Sequence, residues 1–99
     1  MAALALAPVH PGEILKQEFL VPLGMSAGQL ARKLHVPRTR IERLVSESTA
    51  VTVDTALRLA RFFGTSPEFW MNLQVQYELT LQAEAMRDEL AAIPALDAA

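Results

Sequence analysis

The chain has 99 residues, a net charge of −2 and no cysteine. That length makes one domain with a core large enough to fold unaided, and the lack of cysteine excludes disulfides and thiolate metal sites. The apolar start MAALALAPV carries no basic residue and is too short for a secretion signal, and no run approaches the ~20 residues that span a bilayer. A cytoplasmic protein with no membrane partner is expected.

Residues 1–9 are small and apolar and are expected to be a flexible segment. His10-Pro11-Gly12-Glu13 then opens a helix running to about Phe19 or Leu20, with Ile14, Leu15 and Phe19 on its core face. Pro22 and Gly24 are expected to end it and turn the chain into Ser26.

From Ser26 to Glu47 two short amphipathic segments meet across a tight break. Leu30, Ala31 and Leu34 share one helical face in the first; Ile41, Leu44 and Val45 do so in the second. Ser26 suits the N-cap of the first segment. Pro37 suits the first turn of the second, where a missing N–H costs nothing. It also pushes Val36 out of helical geometry, which places the break at His35-Val36. This is a helix-turn-helix pattern.

The polar residues of the second segment indicate its use. The face opposite Ile41, Leu44 and Val45 carries Thr39, Arg43 and Ser46, and Arg38 sits in the first turn, where a recognition helix meets base edges. Between Ser26 and Arg43, five bases (Arg32, Lys33, Arg38, Arg40 and Arg43) face one acid, Glu42, giving +4 on an acidic chain. Such a face suits a polyanion, and arginine forks suit guanine edges as well as phosphates. Its plainer alternative is a solvated surface, with Arg38 and Glu42 as an ordinary i, i+4 pair.

Beyond a polar loop, Thr52 caps a helix starting at Val53. Ala56, Leu59, Ala60 and Phe63 form its apolar stripe, Arg58 and Arg61 lie nearer solvent, and Gly64 stops it. Ser66-Pro67-Glu68 starts the last helix, which is expected to run to about Glu89 or Leu90. One of its stripes is Trp70, Leu73, Tyr77 and Leu81. A second is Met71, Val75, Leu79, Met86 and Leu90. A helix on one side of a small core needs only one stripe, so the second is expected to form a homodimer interface. Gly64 to Ala99 carries a balance of −5, which suits a basic protein partner. Residues 91–99 are expected to be a flexible tail, and residues 10–90 the folded domain. With no strand signal the class is all-α.

Several segments together resemble a known family: His10-Pro11-Gly12-Glu13-Ile14-Leu15, Pro22-Leu23-Gly24-Met25-Ser26, Leu30-Ala31, Thr52 to Ala60, and Phe63 to Gln74. They are similar to the HigA-type antitoxins, within the lambda-repressor-like group that also holds Cro and xenobiotic-response-element proteins. The likeness covers roughly His10 to Tyr77, and its HPGEIL opening with GTSPEFWMNLQ is its most specific part. It implies a five-helix lambda-repressor-like domain with an extended C-terminal helix. It further implies an antitoxin that neutralises a partner toxin, typically a messenger ribonuclease, and represses its own operon as a dimer on operator DNA. Carried over by position, Arg38, Thr39 and Arg43 are base-facing candidates. Ser26, Gln29, Arg32, Lys33 and Arg40 are phosphate candidates. Three departures stand out: Ala27 where glutamine is favoured, His35 where the turn usually has glycine, and an acidic Ser46-Glu47-Ser48-Thr49 where a glycine-rich basic loop is common.

No catalytic constellation is present. His10 and His35 have no companion ligands for a metal, Gly28 stands alone and forms no phosphate loop, and no cofactor is called for. The chain reads as a binding protein. Two alternatives are a stand-alone helix-turn-helix repressor and an interaction module that has lost DNA binding, the latter favoured by Glu42, Glu47 and the acidic last helix.

Overall fold

The computed structural model describes residues 8–97. Residues 1–7, most of the expected flexible start, and 98–99, the end of the expected tail, lie outside the described residues. Among the described residues all regular structure is helical: α1 (Pro11–Ile14), a π-helical stretch (Leu15–Leu20), α2 (Val21–Leu23), α3 (Ala27–Leu34), α4 (Arg38–Val45), α5 (Val53–Phe63), α6 (Pro67–Ala85) and α7 (Arg87–Ala91). The backbone stays right-handed from α1 through α2, and α6 and α7 are separated only by Met86. The five expected helical bodies are therefore present, the first and last with an internal break.

The first body runs past its expected end at Phe19 or Leu20. Inside an α-helix Pro22 would clash with the carbonyl four residues back. Here the preceding turns are wide, with the Val21 N–H bonding to the Lys16 carbonyl five residues back, and Pro22 falls at the start of a fresh turn. Gly24 then ends the body with φ 61°. At the other end His10 is the cap: its Nδ1 accepts the Gly12 N–H at 2.8 Å. The ring is buried and meets Tyr77 edge-on at 4.8 Å.

The helix-turn-helix forms as its caps predict. Ser26 Oγ accepts the Gln29 N–H at 3.1 Å, and Gln29 Oε1 accepts the Ser26 N–H at 2.8 Å, a reciprocal capping box. His35 takes the left-handed position that ends α3, with φ 60°. The Val36 N–H closes the motif on the Ala31 carbonyl at 3.0 Å, as in a glycine-terminated helix. Pro37, expected in the first turn of α4, instead caps it with extended backbone, φ −62° and ψ 144°. α4 ends similarly to α3, on Glu47 at φ 66°.

The core is built from Leu15, Leu20, Leu30, Leu34, Ile41, Leu44, Leu59 and Trp70. Trp70 is fully buried, and its Nε1 donates to Thr65 Oγ1 at 2.8 Å. Phe19 lies 4.7 Å from Phe63 and 5.1 Å from Trp70, centroid to centroid, so the aromatic junction of α5 and α6 also clasps the first body. Gln74, on α6, is buried. Its Oε1 accepts the Val51 N–H at 2.8 Å and its Nε2 donates to Glu78 at 2.7 Å. Beyond Tyr77 the last helices leave the core: residues 78–97 are exposed apart from half-buried Met86, and the molecule measures 55 × 24 × 22 Å. The last helix was expected to be unbroken to Glu89 or Leu90, but it stops at Ala85 and restarts at Arg87.

Candidate nucleic-acid interface

α4 buries Ile41 and Leu44 against the core. That fixes its rotation and turns Thr39 and Arg43 outward, both exposed. Arg43 has no carboxylate partner among the described residues. Its backbone carbonyl is a hub that closes the helix, accepting from Ser46 Oγ and Ser48 Oγ, each at 3.1 Å, and from the Ser48 N–H at 2.9 Å. The two serines of the unexpectedly acidic loop thus terminate the helix that carries Arg43.

Arg38 pairs with Glu42, Nε to Oε2 at 3.1 Å, with its side chain 71% exposed. Its aliphatic stem crosses α3 at Gly28, where a Cβ would come within 2.9 Å of Arg38 Cδ. Gly28 is therefore a packing glycine that lets the base of Arg38 lie flat on the neighbouring helix. An exposed pair of this kind contributes a few tenths of a kcal/mol and yields readily to another anion.

The phosphate candidates divide in two. Ser26 and Gln29 spend one acceptor each on the capping box, which leaves the Ser26 O–H and the Gln29 amide free to donate at the positive end of α3. Arg32 and Lys33 are exposed one turn further on, beside Gln29 in a shallow groove closed by Leu23, Gly24 and Met25. Arg40 stands apart. Its guanidinium is bound to Asp54 of α5, and Asp54 also accepts Arg58 Nε at 3.0 Å. Arg58 had been expected nearer solvent. It is instead half-buried and donates to the Leu34 carbonyl at 2.7 Å, because the last carbonyls of α3 need donors. The i, i+4 spacing of Asp54 and Arg58 is the sequence signal for their pair.

The expected dimer residues lie along α6 and α7. Met71 packs against the chain's own core, and Met86 is half-buried at the helix break. Val75, Leu79 and Leu90 are 48%, 57% and 45% exposed. Val75 and Leu79 line a shallow groove with Glu78 and Gln82. Among the described residues no group of His, Asp or Glu is placed to hold a metal, and no helix is long and apolar enough to cross a membrane.

The helix-turn-helix family profile matches residues 15–70, from the π-helical stretch to the start of α6. Virulence-associated protein I of Dichelobacter nodosus is 49% identical over 73 residues, 74% of this chain and 68% of that protein. Antitoxin HigA-1 of Vibrio cholerae is 39% identical over 73% of this chain and 68% of its own length. The structure of Pseudomonas aeruginosa antitoxin HigA with the higBA promoter superposes with a TM-score of 0.88 at 41% identity, over 91% of this chain and 99% of that one. This chain belongs to the helix-turn-helix family, among the HigA-type antitoxins. The antitoxin GraA in complex with its operator also matches, with a TM-score of 0.88 at 37% identity over 99% of this chain and 100% of that one. HigA-type proteins are binding proteins and not enzymes.

Proposed function

We propose that this HigA-type chain binds operator DNA as a two-fold dimer, represses its own operon from the cytoplasm, and neutralises a basic partner toxin, a messenger-cleaving ribonuclease. One observation carries the DNA-binding part: core packing of Ile41 and Leu44 turns Thr39 and Arg43 outward on α4, and Arg43, like the exposed Arg32 and Lys33 of α3, has no carboxylate partner among the described residues. The HigA and GraA relatives on promoter and operator DNA support it.

The roles divide by position. Arg43 reads base edges with Thr39, and Arg38 joins them on release from Glu42. Arg32, Lys33, Ser26 and Gln29 meet phosphate. A two-fold dimer places two recognition helices one helical turn of DNA apart, roughly 34 Å. Val75, Leu79 and Leu90 supply the apolar face for that dimer, and the −5 balance after Phe63 suits a basic toxin.

The deciding experiment is a salt titration on operator and random DNA. Arg43→Ala costs about 1–3 kcal/mol on operator and much less on random sequence. Arg32→Ala weakens both alike and flattens the salt slope by about one counterion. Equal losses on both DNAs for Arg43→Ala would move the reading face elsewhere. Sedimentation at micromolar concentration checks the dimer, and co-expression with the adjacent gene product checks the toxin. The acidic Glu47 and the pairing of Arg40 with Asp54 favour a second reading, an interaction module without DNA binding, which the absence of any operator-specific affinity would support.

A further inference from the structure

Asp54 lies in the first turn of α5, yet its carboxylate serves the helix-turn-helix that precedes it. Oδ2 accepts Arg58 Nε at 3.0 Å and also accepts Arg40 Nη1. The two arginines are held differently. Arg58 Nη1 donates to the Leu34 carbonyl at 2.7 Å and reaches the His35 carbonyl at 3.5 Å. Among the described residues the Arg40 guanidinium has the carboxylate alone. The side chains of Arg40 and Asp54 are 42% and 52% exposed, and they share a shallow groove with Thr39, Arg43 and Thr52. A cation of the reading helix is thus turned onto an acid at the edge of the surface where a DNA backbone would run.

We infer that Asp54 is a positioning residue that attenuates sequence-independent DNA binding by holding Arg40 away from the phosphates. The inference rests on the DNA-binding reading above. A phosphate that takes Arg40 must displace Asp54 and leave an acid facing the backbone. A cation that stays neutralised releases no counterion from DNA and adds nothing to the salt dependence. The Arg38–Glu42 pair lies within one helix and gives way easily. The Arg40–Asp54 pair joins two helices, and its acid is anchored by an arginine that is itself bound to the end of α3. The chain therefore displays a more basic face in sequence than it presents to a polyanion.

The test is a salt titration of the full-length protein on a mixed-sequence duplex without operator. Asp54→Asn should raise affinity roughly fivefold at low salt and steepen the logarithmic salt slope by about one phosphate contact per protomer. Adding Arg40→Gln to Asp54→Asn should remove both gains. Asp54→Glu, which keeps the acid, should restore the original slope. Should Asp54→Asn fail to fold, Asp54→Ser, which keeps a first-turn acceptor on α5, takes its place. An unchanged slope in the Asn and Ser variants overturns the inference. So does a steeper slope that survives Arg40→Gln, since the effect would then be one of net charge. If the unaltered protein shows no salt-dependent affinity for any duplex, the DNA-binding reading itself has failed.

Discussion

Gly12 packs directly onto the carbonyl of Leu44, so closely that a Cβ on Gly12 would lie 1.8 Å from that oxygen and 2.9 Å from its carbon. The contact is backbone on backbone, so no flexible side chain can yield. It sets α1 against the last turn of α4 and so helps fix the pitch of the helix bearing Thr39 and Arg43. Gly12→Ala must push the two helices apart, and is expected to destabilise the fold by about 3 kcal/mol, at the upper end of overpacking effects. Urea unfolding measures it. A loss within about 0.5 kcal/mol, the range of ordinary surface changes, would mean that α1 can slide without disturbing the core.

Gln74 of α6 answers the Val51 N–H in the α4–α5 connection. Gln74→Leu fills the same space but leaves that buried donor unmet, at a cost of about 1–3 kcal/mol. Gln74→Glu keeps an acceptor for Val51 but can no longer donate to Glu78, and it sets two acids one helical turn apart. Both variants should melt lower than the parent in calorimetry. A Leu variant as stable as the parent would show that Val51 finds another acceptor.

Glu47 holds a left-handed conformation that glycine adopts without strain. It also places an acid next to the helix expected to enter the major groove. Glu47→Gly should therefore stabilise the fold by about 1 kcal/mol and tighten binding to operator and random DNA together. Glu47→Gln should give the second effect without the first. Comparing the two variants separates backbone strain from charge. Tighter binding by Gly alone would remove the electrostatic part of the account.

The Asp54 carboxyl is held below its ordinary value of 3.8, by the Arg58 hydrogen bond first and the Arg40 hydrogen bond next. A depressed acid stabilises fully above its unfolded pKa, and that stabilisation is lost as pH falls through the folded value. The difference in unfolding free energy between the parent and Asp54→Asn should stay constant from neutral pH to about pH 5. It should then shrink toward zero in stronger acid. A difference that persists unchanged at about pH 2 would place the role of Asp54 in packing or capping rather than in charge.

The helices were legible in sequence because their ends are chemically marked. Ser26, Thr52 and Ser66 cap α3, α5 and α6 through their hydroxyls, and Gly24 and Gly64 close bodies in the left-handed region. The core stripe of the helix-turn-helix was equally plain, since Leu30, Leu34, Ile41 and Leu44 follow helical spacing and are all buried. What was missed involves contacts between residues distant in sequence. Periodicity does not reveal that Arg40 will find Asp54, that Arg58 will reach the end of α3, or that Gln74 will serve Val51. The π-helical turns that carry the chain past Pro22 were hidden for another reason: a wide turn has no residue signature of its own, and proline ordinarily argues for a stop. The base-facing candidates could be placed on a face from spacing alone, but their partners could not, and those partners decide how much charge the face displays.

The burial of Trp70 has a practical side. It is the only tryptophan in the chain, it is fully shielded, and its indole N–H is engaged by Thr65. Its emission should be that of a dry, rigid ring, shifting red only when water enters the junction of Phe19, Phe63 and α6. The expected DNA contacts lie on other elements, α3 and α4. The chain thus carries an internal optical gauge of its core, one that registers unfolding while remaining largely indifferent to what docks on the reading helix.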